Sequence, residues 1–128
     1  ERLNPMSASN NPFGDVVFSY SRSQAIADGV LVDLGQFGIT REHWKLPMAC
    51  TDTVWNIIED AVHNHGQDYA GTLHDIYTMA KLAIRKGQGR DTLLFSVIIA
   101  STHRGLKLHI GPGDDPAPVL TLMLPSED

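Results

Sequence analysis

The hydrophobic pattern along the chain alternates between a period of two and one of about 3.6. Val16 to Tyr20 sets Val, Phe and Tyr among smaller residues, which predicts a strand. Ser21 follows, with Gln24 three residues on. That is a capping box, in which the hydroxyl takes one free helix amide and the glutamine reaches back to another. It predicts a short helix over Arg22 to Asp28, stopped by Gly29 in a left-handed conformation. Val30 to Leu34 is a second short apolar run, read as a strand or an extended edge, and Gly35 to Gly38 as a loop. Thr40 opens a short turn through Lys45 that Pro47 ends. The helical period then takes over, with Thr51 or Asp52 as cap. Val54, Trp55, Ile58 and Val62 share one face, Glu59 and Asp60 lie on the other, and Gly66 ends the helix. Thr72 opens a longer helix, Leu73 to Lys86. Its apolar stripe is Leu73, Ile76, Tyr77, Ala80 and Ile84, and its cations cluster near the C-terminus, where the helix dipole favours them.

Period two returns in the last third. Leu93 to Ala100 is apolar on both alternating faces, the pattern of a strand covered on both sides, and it predicts an inner strand. His103 to Gly105 reads as a turn. Leu106, Leu108 and Ile110 alternate with Lys107 and His109, Gly111 to Pro116 is a loop, and Val119 to Leu124 is the last strand. Short connections make these three strands an antiparallel meander, because parallel neighbours need a crossover of roughly a dozen residues or more. The predicted fold class is α+β: a small, mostly antiparallel sheet with a C-terminal three-strand meander, and two main helices packed on one face. Residues 15–128 read as a single domain behind an N-terminal arm, 1–14, whose first five residues ahead of Met6 read as a vector remnant.

Bulk composition narrows the functional classes. The chain has 128 residues, 42% hydrophobic and 20% charged, which suits one globular domain. No apolar run approaches the roughly 18 residues of a membrane span, and no signal-peptide pattern opens the chain, so a cytoplasmic location is expected. A net charge of −5 makes duplex nucleic acid a poor partner, since phosphate neutralisation needs clustered Lys and Arg. The single cysteine, Cys50, excludes an intrachain disulfide and reads as a small apolar residue.

Candidate chemistry is sparse. Of six histidines only His63 and His65 are close, and positions two apart do not share a helix face, so no metal site and no cofactor is expected. No nucleophile elbow, Cys/His pair or carboxylate pair stands out, so no catalytic residue is assigned. Gly111 to Asp115 is the most distinctive stretch: a glycine turn can present amides to an anion, but Asp114 and Asp115 oppose one. The candidate binding residues are Gly111, Gly113, Asp114 and Asp115, with His109 and Arg104 nearby and Arg22 from the capping segment.

Two segments carry a resemblance. FSYSRSQAIADGVLVD (18–33) and HIGPGDDPAPVLTLMLPSED (109–128) resemble a family of small bacterial proteins of unknown function from plasmids, phages and other mobile elements. The resemblance extends over Asp15 to Asp128 and brings no catalytic residue. It implies a genomic setting in which such proteins often counter host defences. The opening segment is also loosely similar to the start of ADP-ribosyltransferase-like domains, but Glu127, in a tail, is a poor match to their late catalytic glutamate.

Two functional expectations follow. The first is a non-enzymatic interaction protein of a mobile element that binds another protein and inhibits a host defence system. The alternative is a small enzyme or ligand-binding domain assembled from distant residues such as Arg22, Asp33, His74 and Asp75. A homodimer is compatible with both, though nothing in the sequence requires one.

Overall fold

A computed structural model describes residues 20–87 and 89–127. The N-terminal arm and most of the Val16 to Tyr20 strand lie outside the described residues. Chain order is α1 (Arg22–Ala27), β1 (Leu31–Asp33), a 3-10 turn (Leu34–Gln36), α2 (Gly38–His43), β2 (Met48–Thr51), α3 (Asp52–His65), α4 (Tyr69–Gly87), β3 (Thr92–Ile99), β4 (Thr102–Pro112) and β5 (Pro118–Met123). The strands form one sheet in the order β1-β2-β5-β4-β3. Every neighbouring pair is antiparallel except β2–β5. The fold is therefore α+β, and β3-β4-β5 is the C-terminal meander. The parallel pair is possible because α3, α4, β3 and β4 all intervene between β2 and β5.

Local chemistry explains the helix ends. Ser21 Oγ accepts from the Gln24 amide at 3.0 Å, the hydroxyl half of the capping box. Thr51 caps α3 through the Val54 amide, and Gly66 closes it at φ 73°. Two expected starts shift. Helix α4 begins at Tyr69 because Asp68 accepts from the Gly71 amide at 2.7 Å, while Thr72 is buried inside the first turn with its hydroxyl on the Asp68 carbonyl. Helix α2 begins at Gly38; Thr40 caps nothing and instead shares a buried 2.7 Å hydrogen bond with Tyr77 Oη.

One sheet face carries the core. Met48, Cys50, Leu106, Leu108, Leu120 and Leu122 meet Val54 and Ile58 of α3 and Leu73, Ile76 and Tyr77 of α4. The opposite face is covered by α1 near Ala49 and Thr121, both buried. Strand β2 has no period to read: it runs four residues, from Met48 after Pro47 to the capping Thr51, and its first three positions are all buried.

Two sequence readings of the last third are corrected. The turn lies at Ala100–Ser101, both at positive φ (51° and 63°), in a two-residue hairpin that pairs Ile99 with Thr102. His103 to Gly105 therefore belong to β4. The strand read as an inner one, β3, is an edge. Among the described residues it pairs with β4 alone, and one of its two apolar faces is covered: Leu93, Val97 and Ile99 are buried, whereas Leu94 is 67% and Ile98 54% exposed. Apolar alternation reports what both faces of a strand require, not whether a neighbour from the same chain supplies it.

Candidate functional site

The Gly111–Asp115 loop is tied into the fold. Asp114 Oδ1 accepts from the Arg22 amide at 2.6 Å and Oδ2 from the Ser23 amide at 3.0 Å. The carboxylate thus takes the open amides at the start of α1, a favourable place for an anion. Those amides from Ser23 and Arg22 hold the Asp114 carboxyl below its usual pKa. Asp115 accepts from the Ala117 amide at 2.9 Å, and Gly113 donates to the Ala117 carbonyl, which closes the loop.

Arg22 completes the junction. Its Nη1 donates to Thr121 Oγ1 and its Nη2 to the Leu120 carbonyl, each at 2.7 Å. Burial lowers the pKa of this guanidinium, while Asp33 and Asp114 oppose that shift. Thr121, His109 and Thr92 lie in one cross-strand row, and His109 Nδ1 is 3.1 Å from Thr92 Oγ1. Gly111 leaves room for that imidazole: a Cβ there would sit 2.8 Å from His109 Nε2. Arg22, Gly113 and Asp114 share a hollow of about 710 Å³ with Glu127, but the polar groups of Arg22, Asp114 and Glu127 bond within the fold. Glu127 is itself held by Thr51 at 2.9 Å, Thr53 at 2.6 Å and the Leu124 amide at 2.8 Å, with the Lys107 ammonium on its carbonyl. Arg104 is apart from this group, on the helix-covered face opposite Val97, half-buried and with no partner for Nε.

The residues of the alternative reading do not converge. Asp33 accepts from the Gly35 amide on the α1 side of the molecule, whereas His74 and Asp75 are exposed on α4. Cys50 is fully buried, and burial, with Asp52 and Glu127 adding to it, pushes the thiol up to about 12, which removes it as a nucleophile at neutral pH. His63 and His65 bind different carboxylates, Glu59 at 2.9 Å and Asp60 at 3.3 Å. His43 Nε2 and His74 Nδ1 are 3.0 Å apart, and burial, then Lys81 and His74, lower the His43 pKa. Among the described residues no three His, Cys, Asp or Glu side chains gather as metal ligands. Trp55 and Tyr69 stack at 5.6 Å beside Phe37, an aromatic cluster at the core rim.

The open surface lies elsewhere, along β3. A groove runs between α4 and this edge. At one end it is lined by His74, Asp75, Met79, Ile98 and His103, a recess of about 460 Å³. At the other it is lined by Leu82, Lys86, Arg90, Leu94 and Phe95, a recess of about 820 Å³. The edge also presents main-chain groups. The Asp91 carbonyl accepts from Ile110 of β4, and ladder groups alternate, so Thr92, Leu94, Ser96 and Ile98 point their N–H and C=O away from β4. None of these edge positions was singled out from the sequence. The signal was present, in the apolar second face of Leu93 to Ala100, but it was assigned to an intramolecular neighbour.

Among the described residues no helix is long and apolar enough to cross a membrane. No family model, no curated protein and no solved structure matches the chain.

Proposed function

We propose that this chain is a non-enzymatic interaction protein, carried by a mobile element, that binds another protein and thereby inhibits a host defence system. One observation carries the binding reading. Among the described residues strand β3 is a sheet edge with no outer neighbour, its outward positions include Leu94 and Ile98, both more than half exposed, and it lies beside a groove lined by α4. Exposed apolar groups beside free backbone donors and acceptors favour docking by strand addition, in which main-chain hydrogen bonds supply affinity and alternate side chains supply selectivity. The polar residues suited to chemistry support the same reading, because Arg22, Asp114, Asp115 and Glu127 spend their hydrogen bonds inside the molecule. The mobile-element setting and the defence target rest on the resemblance of segments 18–33 and 109–128.

The test uses two baits in lysate of a candidate host: the wild-type chain and the double variant Leu94→Lys, Ile98→Lys. The expected result is a defined protein that mass spectrometry finds on the first bait and not on the second. Empty wild-type baits across several hosts, or capture indifferent to the two substitutions, would contradict the reading.

A further inference from the structure

Natural sheets guard their edges with short strands, inward charges, proline or bulges. The other edge here, β1, follows that rule with three residues, Leu31–Asp33. β3 does not. It runs for eight residues in unbroken register with β4, and its outward backbone positions, Thr92, Leu94, Ser96 and Ile98, carry neither charge nor proline. Among the described residues nothing guards this edge, and an edge of this length beside exposed Leu94 and Ile98 calls for a specific occupant.

The surroundings of β3 match a second copy of the same surface. Leu94 and Ile98 sit symmetrically about Ser96, two residues to either side. Charge along the groove is uneven. Lys86 and Arg90 flank the end where β3 begins, next to Asp91, while the carboxylate lining the other end, Asp75, stands beside His74 and His103 with Arg104 nearby, because α4 runs antiparallel to β3. A two-fold axis through Ser96 therefore turns Lys86 and Arg90 of one copy toward Asp75 of the other. We infer that β3 pairs antiparallel with β3 of a second copy, in the register that puts Ser96 opposite Ser96 and Leu94 opposite Ile98, joining the two sheets into one.

The backbone selects this register. Only even-numbered residues of β3 have free edge groups, so an even residue must face an even one. Shifting by two in either direction moves Leu94 opposite Ser96 or opposite Ala100. Only the Ser96-centred register gathers Leu94 and Ile98 of both copies into one apolar cluster on the sheet face away from α3 and α4. The inference rests on the reading of β3 as the binding surface and names its occupant in the free protein, a self-complementary isologous contact that a host partner would displace.

Purified protein tests it by light scattering across concentration. The wild type is expected at twice the chain mass. Ile98→Asp alone should weaken the dimer roughly tenfold or more, by placing a charge against the apolar partner side chain. Leu94→Lys added to Ile98→Asp should restore it, since the two introduced charges then face each other across the pair. Ser96→Cys should form an interchain disulfide under mild oxidation, because hydrogen-bonded antiparallel partners lie about 5.5 Å apart at Cα, within disulfide range. Leu94 and Ile98 are solvent-facing, so an unchanged melting profile of the diluted variants verifies their folding. A monomer at every concentration up to roughly a millimolar, or a dimer that neither responds to Ile98→Asp nor cross-links through Ser96→Cys, overturns the inference. These results come from pure protein. A monomer that still captures a host protein through Leu94 and Ile98 would overturn the dimer and leave the binding reading intact; a dimer that captures nothing would do the reverse.

Discussion

Thr40 and Tyr77 show how far a single residue's role departs from its local sequence signal. Thr40 precedes a helical turn and reads as a cap, yet it is 2% exposed and its hydroxyl meets Tyr77 Oη at 2.7 Å. Tyr77 is fully buried, and burial pushes its pKa up, an effect that the Thr40 hydrogen bond only partly offsets. Thr40→Val keeps the shape and strands the phenol. Leaving a buried polar group without a partner costs about 1–3 kcal/mol, so denaturant unfolding of this variant is expected to show a loss of that size. A loss below about 0.5 kcal/mol, the scatter of ordinary surface substitutions, would mean that the phenol finds another partner. Asp114 departs from its signal in the same direction: it stands in the most ligand-like loop of the chain and is used to hold α1.

At the scale of elements, α1 is too short to persist alone and depends on that tie. Asp114 and Arg22 join six helical residues to β5 and the β4–β5 loop. The Asp114 pKa is depressed in the folded chain, so its contribution is full above the ordinary aspartate value of about 3.8 and is lost as pH falls through the lower folded value. Asp114→Asn keeps the shape but loses the charge and one acceptor. Thermal melts should show a lower midpoint for this variant at neutral pH and a shallower decline than wild type below pH 4. Glu127 keeps part of the acid limb in both proteins. Burial raises its pKa, but Thr53, the Leu124 amide, Thr51 and Lys107 together bring it below its usual range. Parallel acid limbs for the two proteins would contradict the assignment. Most elements were legible in the chain: the Ser21 cap, the start of α3 at Thr51 or Asp52, the Gly66 stop, the apolar faces of α3 and α4, and the meander. β2 was not, because four residues, the first three all buried, carry no period. The hairpin turn was not, because Ala100 and Ser101 lack the glycine or asparagine that usually marks positive φ. The loop around Asp114 was legible as a special segment, but its ligand proved to be the chain's own helix, a pairing 92 residues apart in sequence.

For the whole molecule, the two ends of the sheet contrast. The β1 end is short and flanked by α1, with Arg22, Asp114 and Glu127 satisfied nearby. The β3 end is long, apolar outward and grooved. The sequence asks for cover on both faces of β3, and the described residues supply one. Burial of Leu94 and Ile98 by another polypeptide reconciles the pattern with the fold, and it makes strand addition the property on which the proposed function depends. The most direct measurement is amide hydrogen exchange of Leu94, Ser96 and Ile98 by NMR as protein concentration is varied. At high concentration these outward amides should exchange as slowly as those of Phe95 and Val97, which bond to β4, and dilution should release the outward set alone. Rapid exchange of all three at every concentration, with Phe95 and Val97 protected, would contradict it.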